Sequence, residues 1–260
     1  MKLTTHLPTI TPAALNRATT HPFLRAAGSN TLPKHTLAAW LSQDRLYAQT
    51  YVRFIGQLLS KIHLPLTPSA RGEASITEKI LGILIDALNN IHRELKFFED
   101  VAREYALDLN TPPMELEGGN GGDKEGRFGA APITRAYIDM FMSASAPGTS
   151  LLEGLVVLWA TEICYLRAWR YAAGFLEKRE GGEDTDGGAL REQFIPNWAS
   201  DEFEEFVAKI GDVVDEVAAL EIGGLDEEGK GKGVDALERC ERWWRQVVWL
   251  EERFWPDVRG

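Results

Sequence analysis

Cysteine is almost missing from this chain: Cys164 and Cys240 are the two among 260 residues, far apart and with no Cys-x-x-Cys pair. Two such residues do not make a disulfide framework. Long apolar runs are missing too. The longest, Leu151 to Ala160, is interrupted by Glu153 and Gly154 and is too short to span a bilayer. The opening MKLTTHLPTITPAA lacks the apolar core of a secretory signal, so the expected address is cytoplasmic. Positive charge is also short. Lys and Arg number 28 against 39 Asp and Glu, for a net charge of −11. A phosphate backbone is neutralised by Lys and Arg, and no basic stripe or polybasic run exists here. Nucleic acid and membrane surfaces are therefore not expected partners.

Several catalytic signatures are absent as well. A di-iron bundle needs Glu-x-x-His on two helices, and no such pair occurs. His21 and His92 are the candidates for haem ligation, but His92 sits beside Arg93 and Glu94 and reads as a polar-face residue. The strained Gly-x-Ser-x-Gly turn of a serine hydrolase is missing. Cys164 follows Ile163 on an apolar helix and fits a small core residue. No metal and no cofactor is expected.

What is present is apolar residues spaced three and four apart, with no sustained alternation at two. Thr11-Pro12 opens a short helix, and Pro22 to Gly28 forms a second piece. Pro33 starts a long helix through Trp40, Asp44, Tyr47, Tyr51 and Phe54. Ser75 with Glu78 and Ser150 with Glu153 are capping boxes for two further long helices. Pro132 opens one between them, Ser200 caps another, and the last runs from about Val234 to Trp255. Seven or eight main helices without strands make an all-α bundle. Residues 112–131, 180–190 and 222–233 are rich in glycine and charge, and read as mobile surface insertions. The helices flanking them are too few to form separate cores, so residues 1–260 are expected to be one domain.

Acids lie beside aromatics in several places. Asp44, Tyr47 and Tyr51 share one helix face at i, i+3, i+7, as do Glu162, Tyr165 and Trp169. The segment LVVLWATEICYLRAW is apolar on nearly all sides, which buries Glu162. A buried carboxyl is either paired or raised in pKa, as a general acid needs. Glu251, in VVWLEERFW, follows the buried-side Leu250, but its neighbours Glu252 and Arg253 suit a solvated surface. Asp44 in turn could simply pair with an arginine inside the bundle.

The segment with His21-Pro22-Phe23 and Gln43-Asp44-x-x-Tyr47, and the closing Glu251-x-x-Phe254-Trp255, resemble the TenA family of thiamin metabolism. The resemblance spans about His21 to Trp255 apart from the insertions. It implies a haem-oxygenase-like helical bundle without haem, a homo-oligomer (dimer or tetramer), and a small aminopyrimidine as ligand. It also implies that Asp44 bonds the aminopyrimidine edge, that Tyr47 and Tyr137 flank the ring, and that Glu251 moves protons. Thiaminase-type members have a Pro-Cys pair four residues before a tyrosine. If that tyrosine is Tyr165, this chain has Ala160-Thr161 there; Trp198 stands where the family has another tyrosine. Both changes, with Ala160-x-Glu162-x-x-Tyr165, resemble the branch called TenA_E. The activity implied is hydrolysis of amino- or formylaminopyrimidine with Glu162 and Glu251 as acid and base, and Asp44, Tyr47, Tyr137, Tyr165 and Trp198 around the substrate. Thiaminase II, and a non-catalytic pyrimidine-binding or regulatory protein, are the alternatives.

Overall fold

A computed structural model describes residues 2–67, 74–112, 128–176, 184–223 and 230–258. Helices account for its regular structure: α1 (Leu3–Ile10), α2 (Pro12–Thr19), α3 (Pro22–Gly28), α4 (Lys34–Leu59), α5 (Ile76–Glu104), α6 (Pro132–Ala144), α7 (Leu151–Ala173), the single turn α8 (Ile195–Trp198), α9 (Asp201–Glu221) and α10 (Lys230–Phe254). No strand occurs among the described residues. The expected all-α bundle is what forms, and its ends follow the caps read from sequence. Ser75–Glu78 and Ser150–Glu153 make reciprocal capping boxes, and Ser200 accepts from the Phe203 N–H.

α7 is the central helix. Apolar on nearly every side, it packs against α10 and α9 along its length, and against α2, α3 and α8. Its buried Glu153 is compensated, because Arg239 Nε and Trp243 Nε1 donate to it at 2.9 and 2.8 Å. The approach of α3 to α7 depends on Gly28, where an added Cβ would overlap the carbonyl oxygen of Ala172. That oxygen is backbone and cannot turn away. Gly28→Ala is therefore expected to cost about 1–3 kcal/mol, an overpacking effect read as a lower Tm in thermal unfolding.

Apolar side chains form two cores. One gathers Tyr51, Phe54, Phe141, Leu155 and Trp244, while the other gathers Phe23, Trp40, Trp169, Trp198 and Trp255. α4 runs through both, and Ile91 and Phe254 touch both. Trp40 and Phe54, both on α4, therefore serve different cores, with Asp44 and Tyr47 between them.

Two segments differ from expectation. Residues 3–10 form a helix despite Pro8, a residue that removes a helical N–H. Tertiary contacts hold it: Leu3 and Leu7 are buried, Thr4 donates twice to Asp215 at 2.9 and 2.7 Å, and His6 pairs with Glu241 at 2.7 Å. Residues 184–190, read as part of a mobile insertion, are built in. Thr185 Oγ1 donates to the carbonyls of Asn30 and Leu32 at 3.0 and 2.7 Å. Buried Asp186 accepts from the N–H groups of Gly188 and Leu190 at 3.1 and 2.7 Å, across Gly187 and Gly188 at positive φ. This cap starts a wide turn, Leu190–Phe194, that leads directly into α8. The rest of that stretch, with residues 113–127 and 224–229, lies outside the described residues.

Candidate functional site

A cavity of about 540 Å³ opens where the two cores meet. Its wall takes Asp44, Tyr47 and Tyr51 from α4, Ile91, Glu94 and Phe98 from α5, and Glu162 and Tyr165 from α7. Trp198 of α8 and Phe203 and Phe206 of α9 complete it. The i, i+3, i+7 spacing on α4 turns all three of its side chains to this one side.

Three carboxyl–phenol pairs organise the region. Tyr51 donates to Glu162 Oε1 at 2.6 Å, Tyr165 donates to Asp44 Oδ2 at 3.2 Å, and Tyr137 donates to Glu251 Oε1 at 2.6 Å. No arginine or lysine is bonded to these three acids among the described residues. Burial consequently dominates their titration. It pushes Glu162 up to about 7 against the opposing Tyr51 bond, with the charge of Glu94 adding to the rise. It pushes Glu251 up to about 8, against the Tyr137 bond and with the help of Glu162. Asp44 is raised well above the ordinary carboxylate range by burial and by the nearby Glu94 charge, the Tyr165 bond opposing.

The sequence candidates are not all in the cavity wall. Asp44, Tyr47, Glu162, Tyr165 and Trp198 border it; Tyr137 and Glu251 do not. Those two stand behind Tyr47, whose ring meets the Tyr137 ring edge-on at 5.2 Å between centroids. Glu251 is 4% exposed, so the solvated-surface reading is wrong at that residue, though it holds for exposed Arg253 next door. Asp44 has Tyr165 as its partner, not an arginine.

Glu94 is the residue that sequence reasoning passed over. It faces the cavity, where Trp198 Nε1 donates to one carboxyl oxygen and Asn197 Nδ2 to the other, the latter at 3.1 Å. Burial raises its pKa, while these two bonds and the Arg93 charge oppose the rise. The signal was available: Ala87, Ile91, Glu94 and Phe98 lie at i, i+4, i+7 and i+11, one helix face with an acid in it. Among the described residues, no group of three or more His, Cys, Asp and Glu is arranged to hold a metal ion, and no helix is long and apolar enough to cross a membrane.

The sequence profile of the TENA/THI-4/PQQC family matches residues 7–108, the stretch that carries His21-Pro22-Phe23 and Gln43-Asp44-x-x-Tyr47. The fold agrees: a solved TenA homologue from Pyrococcus furiosus superposes with a TM-score of 0.70 at 23% identity, over 97% of this chain and 98% of that one. In these residues and in its fold, this chain resembles the TENA/THI-4/PQQC family. Its fold is the haem-oxygenase-like helical bundle of its TenA neighbours. A Fusarium pseudograminearum protein described as "Probable transcription factor" is 31% identical over 99% of this chain. The chain spans only about half of that relative, 52% of its length. A Glycine max protein described as "Probable bifunctional TENA-E protein" is 19% identical over 94% of this chain and 88% of its own.

Within this TenA-like bundle, Thr161 is fully engaged: buried, its hydroxyl donates to the Leu158 carbonyl at 2.9 Å and reaches that of Val157 at 3.2 Å. Cys164 is a core residue whose thiol burial holds well above its ordinary pKa, and Cys240 is pushed up to about 12. A thiol nucleophile needs a lowered pKa. Neither cysteine has one.

Proposed function

We propose that the chain hydrolyses thiamin-derived aminopyrimidines in salvage, as a TenA_E-type enzyme that uses carboxyl acid/base chemistry and no cysteine nucleophile. The observation that supports this most is the pair of carboxyls Glu162, in the cavity wall and bonded by Tyr51, and Glu251, buried behind it and bonded by Tyr137, both raised by burial above the ordinary carboxylate range. Such a pair divides the work at physiological pH. Glu162 ionises first and takes a proton from water, while Glu251 keeps its proton for the departing amine. Glu251 lies one layer back, bonded by Tyr137, whose ring packs edge-on against that of Tyr47 in the cavity wall.

Asp44 fits the ring-binding role through the same burial that raises its pKa. A neutral carboxyl donates from one oxygen and accepts at the other. That pattern complements a ring nitrogen beside an exocyclic amino group. Tyr47, Tyr165 and Trp198 supply apolar faces for a flat heterocycle. The test is incubation of the purified protein with amino- and formylaminopyrimidine while ammonia, formate and hydroxymethylpyrimidine are assayed. Product formation that persists in Cys164→Ala and after iodoacetamide treatment is the expected result; loss of turnover with the thiol would restore the thiaminase II reading. One observation favours a non-catalytic pyrimidine-binding protein: Glu251 and Tyr137 are outside the cavity wall. Binding without product, unchanged by Glu251→Gln, would decide for that reading.

A further inference from the structure

We propose that Glu94 is the specificity-determining residue of this cavity, holding the protonated primary amine of an aminomethyl-bearing aromatic ligand and selecting it over the hydroxymethyl counterpart. The inference rests on the pyrimidine reading for the identity of the ring, but the ammonium site follows from the cavity itself.

Of Asp44, Glu94 and Glu162, Glu94 alone has nitrogen donors on both oxygens. An indole N–H and an amide N–H can only donate, so both bonds favour the ionised carboxylate and oppose the rise in pKa that burial causes. Asp44 and Glu162 are bonded instead by phenols, which can donate or accept, and the neutral acid suits them equally. The cavity thus has one carboxyl whose ionised form is favoured by two N–H donors, beside two acids that are bonded by phenols. The two donors to Glu94 use one lone pair on each oxygen, and a carboxylate offers about four acceptor sites. Further acceptor capacity remains for a ligand.

Charge at the cavity agrees. Its lining carries Asp86, Glu202 and Glu205 as further acids against Arg93 and Lys209, and Arg93 is engaged by Glu202 at 3.3 Å and by Asn90 at 2.5 Å. Such a lining opposes a phosphorylated ligand and favours a cation. Aromatic faces from Trp198, Phe98 and Phe203 also suit an ammonium. Trp198 links this to the departure from the family pattern: an indole N–H in place of a phenol removes the option of accepting and favours the charged form of the neighbouring glutamate.

The test is calorimetric titration of wild type and Glu94→Gln with two pairs of ligands. One pair is aminomethyl- against hydroxymethyl-aminopyrimidine; the other is benzylamine against benzyl alcohol. Wild type should bind the amine of each pair at least tenfold more tightly than the alcohol. Glu94→Gln should lose that preference while alcohol affinity stays within about twofold, with Glu94→Asp retaining part of it. If the pyrimidines fail to bind but benzylamine is preferred through Glu94, the pyrimidine reading falls and the ammonium site stands. Equal affinity for amine and alcohol in wild type, or a preference that survives in Glu94→Gln, would overturn the proposal. So would equal losses for both ligands, since a merely structural role for Glu94 gives that result.

Discussion

Glu162→Gln and Glu251→Gln are each expected to lower kcat/KM by about 10²–10⁴-fold, the usual range for loss of a positioned acid or base. The wild-type rate should follow a narrow bell in pH. Its rising limb reports ionisation of the base and its falling limb reports deprotonation of the acid. With the two groups at about 7 and about 8, the optimum lies between these values. Because the limbs are so close, only roughly half of the molecules hold both groups in the productive state at the optimum. Glu162 contributes to the raised pKa of Glu251, so the two apparent values belong to the pair. Residual activity in Glu162→Gln should lack the rising limb, and that in Glu251→Gln the falling one. A profile that titrates near the ordinary carboxylate value of about 4.3, or no bell at all, would remove the acid/base assignment.

Sequence reading succeeds where the signal is local and stops where it is not. Caps and periodicity are local, so α4, α5, α7 and α9 were legible from Pro33, Ser75, Ser150 and Ser200. The cavity-facing sides of Asp44-Tyr47-Tyr51 and Glu162-Tyr165 were legible for the same reason. The three phenol–carboxyl bonds join residues more than a hundred positions apart, and no local pattern carries such a pairing. Glu251 had ambiguous neighbours, because Glu252 and Arg253 point outward while α10 turns its other face to α7. Glu94 was hidden by polar His92 and Arg93 beside it. α1 was hidden by Pro8, where tertiary contacts with α9 and α10 override an unfavourable local residue.

Replacing Glu251 by glutamine should also make the protein more stable at alkaline pH while it makes it inactive. Glu251 has a folded pKa near 8, and an unfolded carboxyl titrates near about 4.3. Between these values the unfolded chain has released a proton that the native state still holds, so the native state loses ground as pH rises. The favourable contribution is complete below the unfolded pKa and is lost as pH rises through about 8. Glutamine stays neutral throughout, and its amide can still accept from Tyr137. The variant should therefore match wild type near pH 4 and exceed it by on the order of a few kcal/mol above pH 8. For a chain of this size that is about 2–4 °C in Tm per kcal/mol. Denaturant unfolding of both proteins across this range reads the difference directly. A gap that is constant with pH would mean that Glu251 titrates alike in the folded and unfolded chain, and would leave the alkaline limb of the rate profile without a source. A gap that widens with pH and levels off above 8 ties the two measurements to one buried proton, held at a cost in stability because the chemistry needs it there.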